Sequence, residues 1–314
     1  MHPPDRPVTV DSAFLERFEA GLNPQQPEAS RIPARILGFG EISSIFAIQG
    51  VDGIAFKRLP IFSTTEEAEA YAAMFHAYCG HLAAAGLHLP GQATAVVGSA
   101  AGVVALYIAQ HQLPDHHFGH RLIHRGSLED TLSLIREIVA LIDGVWRFNA
   151  EHGPDLELAL DGQLSNWVRT PGQGAFTLYY IDTSTPLFRV GGREQLDPEK
   201  LLQSAPGALR WILRQFFLDD VMNRYYSHRD VMVDLVANLC KEQRPDLIAP
   251  VTAVINQYAS ILEKPLTPEA VQRYYRGDRI IWSLFLAFRR IDRWLSRHLF
   301  RRRYEFILPG TIKR

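Results

Sequence analysis

The order of hydrophobic periodicities along the chain limits its fold more than any single motif does. Segments typical of strands come first, from Ile32 to Leu59, with a hairpin-turn signal at Gly50-Val51-Asp52-Gly53. A helical pattern, an apolar strand, a long helical pattern and a small hairpin follow, and the chain from Pro198 is mostly helical. This order is neither a regular βαβ alternation nor all-helical. It predicts an α+β fold with a small sheet followed by a larger helical part.

Element bounds and domain organisation follow from the same patterns. Helices are predicted at Ser12–Leu22, Thr64–Ala85 and from Ser127 through Trp146. Strands are predicted at Ser43–Ile48, Ile54–Leu59, Gly102–Ala109, Asn166–Arg169 and Phe176–Ile181. We expect a loose leader (1–30), a sheet unit (31–110), a helical unit (111–270), and a basic amphipathic helix with a tail (271–314).

The composition is that of an ordinary soluble globular protein. The 33 Lys and Arg residues nearly cancel the 34 Asp and Glu residues, which argues against a general nucleic-acid binder. Cys79 and Cys240 lie far apart without a CxxC, so neither a disulfide scaffold nor a cysteine metal site is implied. There is no basic-then-apolar signal sequence at the start and no apolar run long enough to span a bilayer. The expected location is cytoplasmic.

A glycine-rich bend and a lysine on the strand after it suggest a phosphate site. Gly38, Gly40 and Ser43 lead into a strand rather than a helix, which disfavours a dinucleotide-binding turn, and no GxxxxGK[ST] P-loop occurs. Ala55 and Lys57 share one face of the following strand. The small Ala55 leaves room for a base, and Lys57 can reach phosphates. The alternative is a solvated lysine on an edge strand.

The next predicted helix offers acids that can pair with Lys57. Glu67 precedes Tyr71 and Met74 by four and seven residues and therefore lies on the apolar stripe of that helix. Glu69 is the second choice. Alternatively, these acids only favour the first turn of the helix through its dipole.

The most informative pattern is Asp161-x4-Asn166 followed by Asp182 at the end of an apolar strand. Asp161 is a candidate base, and Asn166 and Asp182 supply oxygens of the kind that Mg²⁺ prefers. Transfer of a phosphoryl group needs this combination of a positioned hydroxyl, a held metal ion and charge neutralisation. Each residue alone has a commoner explanation in an Asx-turn, a cap or a strand-end turn. Their order and spacing together favour the site.

This set of residues resembles the protein-kinase-like superfamily, in particular its aminoglycoside-phosphotransferase and small-molecule-kinase branch. The resemblance spans roughly residues 32–189. It implies a two-lobed fold, with an antiparallel-sheet N-lobe and a larger helical C-lobe, that binds ATP and Mg²⁺. It also implies that Asp161 is the catalytic base, Lys57 a phosphate contact, and Asn166 and Asp182 the magnesium ligands. Backbone groups around Gln110, His111 and Gln112 would then meet the adenine.

The chain departs from the family pattern at several positions. Ala159 replaces the histidine that usually stands two residues before the catalytic aspartate, and Ser43 replaces the third loop glycine. Thr183-Ser184 follows the metal-binding aspartate in place of Phe-Gly, and no Ala-Pro-Glu segment occurs. The expected activity is phosphate transfer to a hydroxyl of a small-molecule or lipid-like acceptor. The alternatives are a nucleotide-binding pseudokinase scaffold and transfer of AMP from the same cleft.

Two other features have simpler interpretations. Five histidines lie between His111 and His124, but without matching Cys or carboxylate spacing, so a solvated, weakly ordered connection is favoured over a zinc site. The predicted C-terminal helix has an apolar stripe of Ile281, Leu284, Phe288, Ile291, Leu295 and Leu299. Packing of this stripe on the helical part is favoured over a membrane-surface role, which would give at most weak contact with anionic lipid.

Overall fold

The computed structural model describes residues 6–40, 43–98, 102–172, 176–197, 200, 218–299 and 304–307. It contains a five-stranded antiparallel sheet in the order β1-β2-β3-β5-β4. These strands are β1 (Ala34–Phe39), β2 (Ser44–Ile48), β3 (Ile54–Phe62), β4 (Gln92–Gly98) and β5 (Val104–His111). The fold is α+β, as the order of periodicities predicted.

Helices precede, interrupt and follow this sheet. They are α1 (Ser12–Gly21), α2 (Thr65–Ala84), α3 (Gly119–Arg125), α4 (Leu128–His152), α5 (Leu218–Tyr226), α6 (His228–Lys241), α7 (Ile248–Tyr258) and α8 (Pro268–Trp294), with a π-helical turn at Leu295–Leu299. Polar caps fix the starts of the long ones: Thr64 caps α2, and Ser127 forms a capping box with Asp130 on α4. Within the described ranges, none of these helices has both the length and the apolarity of a membrane span.

Short strands between α4 and α5 carry the loops of the predicted site. They are β6 (Leu156–Leu158), β7 (Trp167–Pro171), β8 (Phe176–Tyr180), β9 (Phe188–Val190) and β10 (Arg193–Glu194). Strands β7 and β8 form a hairpin, and β6, β9 and β10 form a three-stranded sheet. The hairpin places Asn166 just before its first strand and Asp182 just after its second, so the two residues come to one end of the hairpin.

Both faces of the five-stranded sheet are buried, because helices cover each of them. Along β5, Leu106 and Ile108 join the large core that α2 and α4 line. Their neighbours Ala105 and Tyr107 point to the opposite face and pack in a second core with Phe18 of α1. The helix predicted in the leader is thus present, but the leader is not loose, since this helix closes one face of the sheet.

A buried ion cluster holds this second face together. The guanidinium of Arg58 on β3 donates to both carboxylate oxygens of Glu19 at 2.6 and 2.7 Å, and to Glu305 Oε2 at 2.7 Å. The Tyr107 hydroxyl also donates to Glu19. The side chains of Arg58, Glu19 and Glu305 are only 2%, 0% and 9% exposed, so each charge depends on the others for compensation. The cluster joins α1, the sheet and residues 304–307.

Strand β4 was not predicted, and the connection after β5 is more regular than expected. The sequence of β4, Gln-Ala-Thr-Ala-Val-Val-Gly, mixes strand-favouring Thr and Val with Gln, Ala and Gly, and pairing with β5 along its whole length stabilises it. The histidine-rich connection, predicted to be weakly ordered, contains a 3₁₀ turn at Asp115–His117 and helix α3. Tertiary pairing and packing override weak local signals in both places.

The predicted packing of the C-terminal apolar stripe is wrong for two of its members. Ile291 is 51% exposed and Leu299 is 64% exposed, and Trp294 beside them is 58% exposed. Phe288 and Leu295 are half-buried. The side chains of Ile281 and Leu284 lie outside the described residues. The helix itself is present and begins at Pro268, earlier than predicted, because Thr267 caps its first turn.

The ion cluster gives a test of what stabilises the sheet. Glu19→Ala leaves Arg58 buried with one carboxylate partner fewer, so we expect a loss of about 3–5 kcal/mol in the free energy of unfolding. Denaturant unfolding of the full chain measures this. The matched control is Asp115→Ala, which removes a solvent-exposed ion pair with Arg121 and should change little. Equal losses in the two variants would contradict the importance of the cluster.

Candidate functional site

Lys57 meets the chain immediately before Asp182. Lys57 lies in the middle of β3 with only 5% of its surface exposed, and its Nζ donates to the carbonyl of Ile181 at 2.6 Å. Burial lowers the pKa of Lys57, while the negative charge of neighbouring Asp182 acts in the opposite direction. The structure thus brings together two predicted site residues that are distant in sequence. This contact links the five-stranded sheet to the loop after β8.

Glu67 does not pair with Lys57, contrary to the prediction. Its Oε2 accepts from the backbone N–H of Ser63 at 2.8 Å, and its Oε1 pairs with Lys200. The second choice, Glu69, is exposed. The sequence reasoning placed Glu67 on the apolar stripe of α2, but this residue sits in the first turn, where it closes the helix start. The alternative role at the helix N-terminus is the one observed.

The residue of α2 that lies beside Lys57 is Cys79. Its sulfur accepts a hydrogen bond from Gln92 Nε2 at 3.0 Å. The side-chain amide oxygen of Gln92, Oε1, accepts a hydrogen bond from Thr183 Oγ1 at 3.2 Å. Burial raises the pKa of the Cys79 thiol to about 12, so the thiol is neutral at pH 7. Helix α2 therefore contributes a neutral, polarizable group here rather than a carboxylate.

Asp161 and Asn166 share one loop, as predicted. The Asp161 carboxylate accepts from the backbone N–H of Gln163 at 2.9 Å and from its side-chain amide at 3.0 Å. Asn166 Nδ2 donates to the backbone carbonyl of Asp161 at 3.2 Å. The bond from the Gln163 N–H to the Asp161 carboxylate is an Asx-turn, the commoner explanation for such an aspartate. It is compatible with a chemical role, because it fixes the carboxylate in place.

Two tyrosines anchor the loop that carries Asp161. The Tyr78 hydroxyl donates to the carbonyl of Ala159 at 2.6 Å. The Tyr180 hydroxyl accepts from the backbone N–H of Asp161 at 3.2 Å. Both tyrosines are fully buried, so their hydroxyls are held by packing. The loop has orienting hydrogen bonds despite the absence of histidine at Ala159.

Three carboxylates lie close together at this loop. Burial raises the pKa of Asp161 well above its usual range, and the charges of Asp234 and then Asp182 raise it further. Asp234 lies on α6 and was missed by the sequence reasoning. A signal was present, since Asp234 is the charged residue in the run Val231–Leu239, whose other described members are apolar apart from Asn238. A carboxylate in such a run is costly unless it has a function or a partner.

The glycine bend lies in register with Lys57 across the sheet. Gly38 pairs with Ile45, Ile45 pairs with Lys57, and Lys57 pairs with Ile108. The bend is closed by a hydrogen bond from Gly40 N–H to the carbonyl of Ser43 at 3.0 Å, and residues 41 and 42 lie outside the described ranges. A Cβ added at Gly38 would lie 3.3 Å from Ile45 Cδ1, so the glycine makes room for the side chain of the strand that lies between it and Lys57.

The predicted adenine contacts are only partly available. The backbone N–H of His111 donates to Gly91 and that of Gln112 donates to Gly53, so the expectation that these two donors meet the base is wrong. The side chain of Gln110 is different. Its Nε2 is buried without a hydrogen-bond partner among the described residues, and Gln110 pairs across the sheet with Ala55. A buried amide without a partner can donate a hydrogen bond to a ligand ring, and the small residue beside it leaves space for that ring.

The oxygens of the loop fit a divalent cation. Asp182 Oδ1 accepts one long hydrogen bond, from Ser184 Oγ at 3.3 Å. Asn166 uses its amide nitrogen on Asp161, and its carbonyl oxygen accepts no hydrogen bond from the described part of the chain. Neighbouring carboxylates that repel one another favour a bound cation. Among the described residues, no group of three or more His, Cys, Asp and Glu side chains could hold a metal ion, which includes the histidines between β5 and α3. Mg²⁺ needs fewer protein ligands, because phosphate oxygens and water complete its shell.

Comparisons with known proteins identify a family but no established activity. The model of a family of unknown function, DUF6206, matches residues 45–293. No curated protein matches the chain. One solved structure, described as WaaP in complex with acyl carrier protein, aligns with 13% identity and a TM-score of 0.31 over 70% of this chain and 89% of that chain. A TM-score this low does not establish a shared fold.

The raised pKa of Asp161 predicts a pH-dependent cost to stability. A carboxyl group whose pKa is higher in the folded than in the unfolded chain stabilises the protein at low pH, and this stabilisation is lost as the pH rises toward the folded pKa. Asp161→Asn removes the buried charge, so this variant should melt about 2 °C or more above the wild type at pH 8, with a smaller difference at pH 4.5. Thermal unfolding across this range is the measurement. Asp155→Asn, at an exposed position, is the control and should show no such trend.

Proposed function

The chain belongs to the DUF6206 family, whose function is unknown, and we propose that it is an ATP-dependent phosphotransferase acting on a hydroxyl of a small-molecule or lipid-like acceptor. In this proposal the five-stranded sheet and the helical part act as the two lobes of a protein-kinase-like fold. The nucleotide lies between them, with its phosphates near Lys57 and its base near Gln110 and Ala55.

The contact between Lys57 and Ile181 carries the proposal. It places a buried ammonium group next to Asp182, whose oxygens accept only one long hydrogen bond within the described ranges. A cation on one side and an oxygen-rich loop on the other are what a triphosphate with its metal ion requires. The glycine bend lies two strands away in the same register, and its backbone N–H groups are the proposed phosphate donors.

The residues of the loop have separate roles in the proposed reaction. Asp161 accepts the proton of the acceptor hydroxyl, and burial raises its pKa, which makes the carboxylate a stronger base. Gln163 holds both Asp161 oxygens, so the carboxylate has a fixed direction. Asp182 and Asn166 are the residues that would hold Mg²⁺. When bound, the metal ion supplies charge neutralisation on the phosphates.

Lys57→Met tests the nucleotide site. The substitution keeps the length and apolar stem of the side chain but removes the charge-assisted contact to phosphate, so we expect Mg·ATP affinity to fall at least about tenfold. Titration calorimetry with the full chain measures this. Lys264→Met, at an exposed position on another segment, should retain wild-type affinity. Equal binding by the wild type and Lys57→Met would contradict the assignment of Lys57.

Asp161→Asn separates binding from chemistry. Because Asn keeps the shape of the side chain but is a poor base, we expect Mg·ATP binding to stay within about twofold, while ATP turnover with an acceptor falls by about 10² or more. Turnover is followed by the mass of the products, which distinguishes transfer of phosphate from transfer of AMP. Undiminished turnover by Asp161→Asn would overturn its role as base.

One observation favours a second candidate, a nucleotide-binding scaffold without catalysis. The buried amine of Lys57 is hydrogen-bonded to a carbonyl, and no carboxylate of α2 reaches it among the described residues. An amine held in this way has a weaker counter-charge than one in an ion pair. Saturable Mg·ATP binding without turnover across a panel of alcohols would support the scaffold and exclude the transferase.

A further inference from the structure

A cavity formed by three helices has a different character from the nucleotide site. It has a volume of about 340 Å³ and lies among α5, α6 and α8. Three arginines line it, Arg224, Arg229 and Arg273, together with Tyr274 and other residues. A volume of this size is at the small end of ligand cavities and suits a compact molecule or a head group.

The charge of the cavity is positive. Its lining includes two carboxylates, Asp230 and Asp278, against the three guanidinium groups. Asp278 is already paired with Lys241 at 3.3 Å. Neither Arg229 nor Arg273 has an ion-pair partner among the described residues. Guanidinium groups that outnumber the neighbouring carboxylates are typical of sites for phosphate or carboxylate ligands.

Tyr274 connects the cavity to the catalytic loop. It lines the cavity, and its hydroxyl acts on Asp234 by lowering the pKa that burial raises. Asp234 is in turn the carboxylate whose charge acts most strongly on Asp161. The ring of Tyr274 also lies 5.5 Å from the Arg224 guanidinium. Asp234 and Tyr274 thus couple the proposed base electrostatically to the positive cavity.

We propose that this cavity binds the acceptor, and that the acceptor is an alcohol bearing a phosphate or carboxylate group. The inference rests on the proposed function, because it assigns the second substrate of the same site. The anionic group lies against Arg224, Arg229 and Arg273, and the rest of the acceptor extends past Tyr274 and Asp234 so that its hydroxyl reaches Asp161. The positive charges of the arginines offset the repulsion that Asp161, Asp182 and Asp234 would exert on an anionic acceptor.

The test compares a charged ligand with its neutral counterpart. Glycerol 3-phosphate and glycerol are titrated into the full chain by calorimetry, in the absence of nucleotide and at low and high salt. We expect glycerol 3-phosphate to bind, more weakly at high salt, and glycerol not to bind. Arg229→Gln and Arg273→Gln should each weaken binding at least about fivefold. Arg276→Gln, on an exposed turn of α8 outside the lining, should not.

Two further experiments ask whether the anionic group belongs to a lipid or to a free small molecule, and whether this site is distinct from the nucleotide site. Arginine-dependent binding only to vesicles that contain phosphatidylglycerol, and not to phosphatidylcholine vesicles, would assign the group to a lipid head group and keep the proposal. Repeating the glycerol 3-phosphate titration in Lys57→Met distinguishes the sites, because anion binding should persist when ATP binding is lost. Equal binding of glycerol and glycerol 3-phosphate, or unchanged binding in both arginine variants, overturns the inference and leaves the nucleotide site untouched.

Discussion

A buried ammonium group must be met by oxygen, and in this protein the Lys57 amine is met by the carbonyl of Ile181. That contact joins the five-stranded sheet to the β7–β8 hairpin and thereby positions Asp182. The neighbouring Arg58 points to the other face of the same strand, where Glu19 and Glu305 surround it. Two adjacent basic residues of β3 therefore hold partners on opposite faces of the sheet. Lys57 binds the loop that carries Asp182, and Arg58 binds Glu19 and Glu305.

The carboxylates at the site create the complementary constraint. Asp161, Asp182 and Asp234 are held near one another by the loop after β6, the end of β8 and helix α6. Their mutual repulsion is a cost to the folded chain, and such costs are usually tolerated at functional sites. The neutral thiol of Cys79 and the hydroxyls of Tyr78 and Tyr180 surround the cluster with groups that orient it without adding charge.

Sequence reasoning worked where a signal was local and failed where a partner was distant. The pattern Asp161-x4-Asn166 and the glycine bend depend on neighbouring residues, and their placement on one loop and one hairpin could be predicted from the sequence. Glu67 was misassigned because helical spacing identifies a face but not which turn of that face reaches another element. Asp234 and Gln110 were harder to find or interpret, since their surroundings come from segments far along the chain.

For the fold, too, the features set by local sequence were predicted and those set by distant contacts were not. The order of strands and helices was evident from periodicity, whereas β4 has a mixed strand preference and is stabilised by its pairing with β5. The leader helix was identified from its apolar spacing, but nothing local reveals that Glu19 inside it would face Arg58. Exposure of Ile291 and Leu299 on the C-terminal helix also depends on tertiary contacts that periodicity does not encode.

The ion cluster around Arg58 has a consequence for dissecting the molecule. Glu19 lies 39 residues before Arg58, but Glu305 lies 247 residues after it. A fragment that ends after β5 would retain the strands and α1 yet leave the guanidinium short of one of its two acidic partners. The sheet is thus not a self-sufficient module. Its assembly is completed only when residues 304–307 pack onto it, so the second core joins α1, the strands and a segment beyond α8.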